Sequence, residues 1–178
     1  MELFEAISER YSYRGTFKND PVPTKDLEKI VQAGLDAPSA GNRQTTQFVI
    51  IDNVDIIAKV KTAFADQPFV ATAPAFIAAI VDADPKPYRE GGYIFVLEDC
   101  SAAIENILLA ITGLGYASVW LDGVLRGEGR AQKIGEAIDL PENKKVQILL
   151  PVGVPDEKLP HREKFAFKER VWFNRYGE

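Results

Sequence analysis

The sequence predicts one unit in which helices and short strands alternate, and three observations carry that expectation. Apolar residues switch repeatedly between the three- and four-residue spacing of a helix and short runs typical of buried strands. No long linker, low-complexity tract or internal repeat divides the 178 residues, and 46% hydrophobic content suffices for a sizeable core. One stretch, 97–114, is apolar nearly all round, so it must be covered on most sides, either centrally or in a subunit interface. With about four strands, the pattern leaves two architectures open: a three-layer α/β sheet and an α+β sandwich.

The elements follow in order. Leu3, Phe4 and Ile7 mark one face of a short helix. Leu27, Ile30, Val31 and Leu35 repeat at helical spacing, with Thr24 as the expected N-cap and Pro38 as a stop. Residues 47–51 read as a strand, and Ile56, Ile57, Val60 and Phe64 as a helical stripe. Residues 75–81, after Pro74, form a buried-strand pattern. Two prolines, two glycines and mixed charges make 82–92 a loop able to act as a lid. Leu97, Cys100, Ile104, Ile107, Leu108, Ile111 and Leu114 then define the long apolar helix. Strands are expected at 117–121 and 146–152, with a helix near 131–138 between them.

Composition removes several functional classes. A formal net charge of −5 gives no reason to expect nucleic-acid or anionic-membrane binding. The lone Cys100 excludes an intrachain disulfide framework, and the lone His161 argues against a histidine-built metal site. The opening MELFEAISER is no secretory signal, and no apolar run reaches membrane-spanning length, so a soluble, cytoplasmic protein is expected.

Two polar clusters hold the chemistry. Arg10-Tyr11-Ser12-Tyr13-Arg14 places two guanidiniums about a hydroxyl. Arginine forks bind phosphate oxygens bidentately, and serine can donate to a third oxygen. Ala37-Pro38-Ser39-Ala40-Gly41-Asn42-Arg43-Gln44 offers amides and hydroxyls suited to the polar edge of a heterocycle. Together they suggest a phosphorylated cofactor with a planar, hydrogen-bonding head. Taken singly, the first cluster also reads as a solvated turn after a helix, and the second as ordinary turn chemistry.

Four strings, in order, resolve these alternatives: RYSYRGTF with Pro21-Val22-Pro23, APSAGNRQ, GLGYASVWLDG and a basic stretch ending in WFNRYG. In them the chain resembles the nitroreductase-like FMN oxidoreductases over nearly its whole length. The resemblance implies an α+β fold with a mixed, mainly antiparallel sheet flanked by helices, in an intertwined homodimer, with 1–178 as one FMN-binding domain. It implies that Arg10 and Ser12 hold the FMN phosphate and ribityl chain. Arg14 would lie near the pyrimidine edge, where positive charge stabilises the reduced ring. Pro38, Ser39, Asn42 and Gln44 would reach the flavin of the partner subunit. Leu121, Asp122 and Gly123 would lie along one flavin face, with a backbone N–H donating to N5. Arg162 and Lys164 fall at the second basic cluster, either one a phosphate contact. Relatives commonly carry arginine at the Lys164 position, and often Pro-Trp where this chain has Thr45-Thr46.

The activity implied is hydride transfer from NADH or NADPH to a small electron-poor acceptor such as a nitroaromatic or quinone, with no catalytic side chain required because the flavin supplies the chemistry. A non-catalytic FMN carrier is the alternative; reductive dehalogenation is disfavoured by the short 82–92 loop. Gly113-Leu114-Gly115 is read as a helix C-cap rather than a dinucleotide loop, because it follows a helix and precedes a strand. Cys100 is expected to be a buried structural thiol, and His161 exposed. Glu98, Asp99 and Glu105 are expected to be helix-surface or capping groups.

Overall fold

The computed structural model describes residues 1–64 and 67–177. Three strands, β1 (Gln47–Ile51), β2 (Ala75–Asp82) and β3 (Lys144–Val152), form an antiparallel sheet in the order β1-β2-β3. Six α-helices accompany it: α1 (Leu3–Glu9), α2 (Thr24–Leu35), α3 (Val54–Thr62), α4 (Pro68–Ala71), α5 (Val96–Gly113) and α6 (Arg130–Ala137).

Central strand β2 explains why the sequence left two architectures open. It is buried on both faces, so it reads as a continuous apolar run and not as an alternating one. Its side chains nevertheless alternate between two cores. Phe76, Ala78 and Ile80 join Ile57, Val60, Phe64 and Ile134, on the α3 and α6 side. Ala75, Ile77, Ala79 and Val81 join Leu27, Ile30, Ile104, Ile107 and Ile111, on the α2 and α5 side. The layering is therefore helix–sheet–helix while the strand pairing is antiparallel, which makes the fold α+β.

The fourth expected strand, 117–121, appears only as isolated antiparallel bridges to β3, at Ala117–Gly153 and Leu121–Leu149. Each bridge exchanges backbone hydrogen bonds in both directions. By register, Val119 faces Pro151 midway between them, on the side of β3 turned from β2. Proline has no N–H, so the middle of this ladder cannot form. Ser12 adds a parallel bridge to Ser118 on the other side of the segment. The sheet is thus extended by a pinned edge rather than a regular strand.

Helix α5 ends as expected: the Gly115 and Tyr116 N–H groups return to Thr112 and Ile111 carbonyls, and Gly115 is left-handed at φ +84°. One expectation needs correction. Thr24 is the first residue of α2, and Pro23 occupies the N-cap; with its φ already near the helical value, proline is well suited to start the turn. The apolar face of α1 is not buried: Leu3, Phe4 and Ile7 are exposed and only Ala6 is covered. Leu97 and Leu114, at the ends of α5, are exposed too. The three buried isoleucines of α5, Ile104, Ile107 and Ile111, still dominate its placement. Each fully buried Ile is worth about 1.5–3 kcal/mol, against at most about 1 kcal/mol for an ion pair on its open side.

Gly153 marks where this packing is tightest. A Cβ there would stand 2.7 Å from Pro74 Cδ and 2.9 Å from Phe17 Cδ1, neither of which can swing away freely. Gly153→Ala should lower stability by about 1–3 kcal/mol. Gly113→Ala, with open space around its Cβ, should be neutral or stabilise by up to about 1 kcal/mol. Denaturant midpoints for the pair check this, and equal midpoints would show that the Pro74–Phe17 wall yields.

Candidate active site

The first polar cluster is shaped by one buried ring. Tyr13 is wholly buried against Phe17, its hydroxyl donates to the Thr16 carbonyl, and its backbone N–H donates to Ser118 O at 2.9 Å. Burial raises its phenol pKa. Because side chains alternate along an extended segment, anchoring Tyr13 inward sends Ser12 and Arg14 outward, and both are exposed. Arg14 Nη1 donates to Ser12 O at 3.3 Å. Arg10, at the end of α1, places its Nε 3.2 Å from Glu105 Oε1 on α5. That bond leaves the terminal nitrogens of Arg10 for a ligand. The Ser12 hydroxyl makes no hydrogen bond among the described residues.

The segment bridged to Ser12 leads directly to the second group. Leu121 is buried and locked to Leu149. Asp122 accepts from Arg126 Nε at 3.0 Å and Nη2 at 2.9 Å, and from Gln147 Nε2 at 3.5 Å. Gln147 reaches it because β3 carries a bulge: Ala79 pairs with Ile148 and Ile80 with Val146, so Gln147 is left over. Bulges beside sites commonly redirect a side chain in this way. Gly123 opens the 3-10 turn Gly123–Arg126, where the first N–H has no intrahelical acceptor. Gly123 is exposed and a Cβ on it would meet nothing within 4 Å, so the backbone here is open to close approach.

The 38–44 segment is held elsewhere. Asp99, buried in the first turn of α5, accepts from Ala40 N–H and from Thr45 Oγ1, each at 2.8 Å. Between those two fastenings the chain makes the 3-10 turn Ala40–Asn42 and places Asn42 and Gln44 at φ +55° and +52°. Ser39 Oγ accepts from Gln44 N–H at 2.9 Å, so the serine is a turn former. Pro38, Asn42 and Gln44 remain exposed. No hydrogen bond or ion pair joins this loop to 10–14 among the described residues. Both hang from α5, at Asp99 and Glu105, about 9 Å apart along its axis.

Arg162 and Lys164 are exposed, without ion pairs among the described residues. Their neighbour His161 is exposed as expected but not idle: its ring lies 4.3 Å from that of Tyr11, which draws the 161–164 segment alongside 10–14. Three contributors were missed by sequence reasoning in these roles: Asp99, Glu105 and Gln147. The expectation that the first two are helix-surface or capping groups holds for Glu105 in part; Asp99 is buried and fastens a loop. Cys100 is buried, and burial pushes its thiol up to about 11, which fits an inert packing group. No cluster of three or more metal-ligating residues occurs among the described residues, and no described helix is long and apolar enough to cross a membrane.

An exposed cation–hydroxyl set at 10–14 is thus joined through one backbone bridge to the segment that ends at Asp122 and Gly123. The chain matches the model of the nitroreductase family over residues 7–79 and 63–154. It is 39% identical over 158 residues to a candidate NADH dehydrogenase/NAD(P)H nitroreductase of Archaeoglobus fulgidus, covering 88% of each chain. A crystal structure of a similarly described protein from Bacteroides thetaiotaomicron superposes with a TM-score of 0.81 at 26% identity, covering 98% of both chains. A nitroreductase with bound FMN from Bacteroides fragilis gives 0.75 at 25% identity, over 98% of this chain and 100% of that one. This chain belongs to the nitroreductase family.

Replacing Asp99 tests the fastening of the 39–45 loop. Asp99→Ala leaves two donors without their acceptor and should cost about 1–3 kcal/mol, with faster hydrogen exchange at amides 40–45. Asp99→Asn keeps one carbonyl acceptor and should fall between. Unchanged exchange in the alanine variant would show that the loop is held by other contacts.

Proposed function

We propose that the protein is an FMN-dependent oxidoreductase that takes hydride from NADH or NADPH and reduces small electron-poor acceptors, nitroaromatics or quinones among them. The observation that carries this reading is the pairing of donors with capacity to spare: Arg10, Ser12 and Arg14 at one end, each with further N–H or O–H groups beyond the Glu105 and Ser12 O contacts, and the Gly123 N–H at the other end of the bridged segment. The donor chemistry fits FMN. A phosphate dianion suits two guanidiniums and a hydroxyl, and the reach from Ser118 to Gly123 suits a ribityl chain ending in a ring. The donor on a close backbone, with no side chain over it, suits a ring nitrogen.

In this reading Arg10 and Ser12 hold the phosphate, assisted by Arg162 or Lys164. Arg14 lies toward the pyrimidine edge and stabilises negative charge there. Leu121, Asp122 and Gly123 form the floor, with the Gly123 N–H directed to ring N5. Asp122 is oriented by Arg126 and Gln147. FMN, when bound, supplies the two-electron chemistry, so no side-chain acid or nucleophile is assigned. Pro38, Ser39, Asn42 and Gln44 would serve the flavin of a second copy.

That second copy is itself part of the proposal. Phe4, Phe165, Phe167, Phe173 and Tyr176 are large side chains left exposed, at fractions of 67–86%. A set this apolar at both ends of the chain is suited to an obligate interface. The likeness to the FMN-bound relative supports the cofactor.

Sedimentation followed at the flavin band should show an FMN-loaded dimer that persists at low micromolar concentration. Arg10→Ala should weaken FMN binding by about 1.5–3 kcal/mol while leaving riboflavin affinity unchanged, because only the phosphate contact is lost. FAD as the released cofactor, or equal losses for both ligands, would overturn the site. In steady state, NAD(P)H against a quinone should give parallel double-reciprocal lines, since donor and acceptor use one open side in turn. Intersecting lines would require both to be bound together, and absence of NAD(P)H consumption would leave an FMN carrier.

A further inference from the structure

We propose that the cavity between the Ala40–Asn42 turn and the 87–95 segment binds planar aromatic molecules that carry a negative charge, and so selects anionic aromatic acceptors; this rests on the oxidoreductase reading. The cavity has a volume of roughly 400 Å³, suited to a one- or two-ring ligand. Aromatic rings form its walls. Tyr88 and Phe95 stand edge to face with centroids 6.4 Å apart, and Tyr93 and Phe95 are 6.2 Å apart at 58°. Such walls favour a flat ring over an aliphatic chain, because offset and edge contacts use the ring quadrupole.

Charge at the rim is one-sided. The Arg89 guanidinium lies 5.3 Å from the Tyr88 ring centroid and makes no ion pair among the described residues. Arg43 lies in the adjoining cleft beside Tyr88 and Phe95, donating to Pro87 O at 3.2 Å. Of the nearby acids, Asp84 is paired with Lys86, and Glu90 bonds neither arginine. A carboxylate or nitro group entering beside the rings would therefore meet the Arg89 guanidinium, which has no acidic partner among the described residues, whereas a cation would be repelled.

The walls are also set in place without a ligand. Tyr88 N–H donates to Tyr93 O at 2.9 Å and Gly92 N–H to Arg89 O at 2.8 Å, closing the 88–93 turn. Gly41, left-handed at φ +57°, lets the Tyr88 ring lie on its backbone; any Cβ there would collide with that ring. Gly41 adjoins Asn42, assigned above to the cofactor ring, so a ligand in this cavity borders the reacting region.

The test uses full-length, FMN-loaded protein and three probes of one shape: 2-naphthoate, 2-naphthylmethanol and 2-naphthylmethylammonium, with binding measured by calorimetry. Naphthoate should bind about tenfold more tightly than the alcohol, the difference expected for one charge-assisted contact. Arg89→Gln should abolish that preference and leave the alcohol unchanged, while Tyr93→Ala should weaken both. With turnover, the kcat/KM ratio of 4-nitrobenzoate over 4-nitrobenzyl alcohol should fall by about the same factor in Arg89→Gln. Equal affinities in the wild type, a preference that survives Arg89→Gln, or tighter binding of the ammonium probe would each overturn the inference. Naphthoate preference without any NAD(P)H consumption would instead sink the oxidoreductase reading and leave the cavity's selectivity standing.

Discussion

Everything on the site side of this molecule depends on where one phenol ring goes. Tyr13 enters the core beside Phe17, and its hydroxyl ties together the Thr16 carbonyl and the Asp156 N–H, which belong to distant parts of the chain. Two consequences follow from alternation alone. The residues on either side must point away from the core, and the backbone between them must lie against Ser118. A hydrophobic contact thus fixes the direction of polar side chains that share no contact with it. Loss of the ring would leave the arginines in the sequence but not at a common edge.

Helix α5 has the complementary task. Its buried side holds the sheet, and two carboxylates six residues apart, one buried and one partly exposed, fasten two separate pieces of the site. The two fastenings differ in kind. Glu105 is half exposed, so its bond to Arg10 orients the guanidinium without contributing much stability. Asp99 is buried with its acceptors filled, so removing it would expose unmet donors. One helix therefore carries an adjustable attachment and a rigid one.

Much of this was legible in the sequence, and the reasons are local. The β1 limits, the α2 and α5 stripes and the glycine C-cap at 113–115 follow from periodicity and backbone preference within a few residues. The candidate residues Arg10, Ser12 and Arg14 were found because a short string places them together. What escaped notice depends on partners remote in sequence. Pro151 looks harmless within β3 until Val119 is known to lie opposite it. Asp99 looks like any acid in a first helical turn until Ala40 and Thr45, more than fifty residues away, come to it. Leu3, Phe4 and Ile7 look like a core face, and periodicity cannot tell whether the cover comes from the same chain.

The surplus residue at the β3 bulge has an effect on sequence tolerance. Val146 belongs to the core on the α3 and α6 side, yet Ile148, two positions on, belongs to the opposite core, as do Leu150 and Val152. In a regular strand residues two apart share a face, so Gln147 acts as a frame shift that brings two reading frames of β3 into register with an unbroken β2. Exchange of its side chain would alter only what Asp122 receives. Deletion would turn either Val146 and the chain before it, or every residue after it, to the wrong layer. At this position the fold constrains chain length far more than chemical identity.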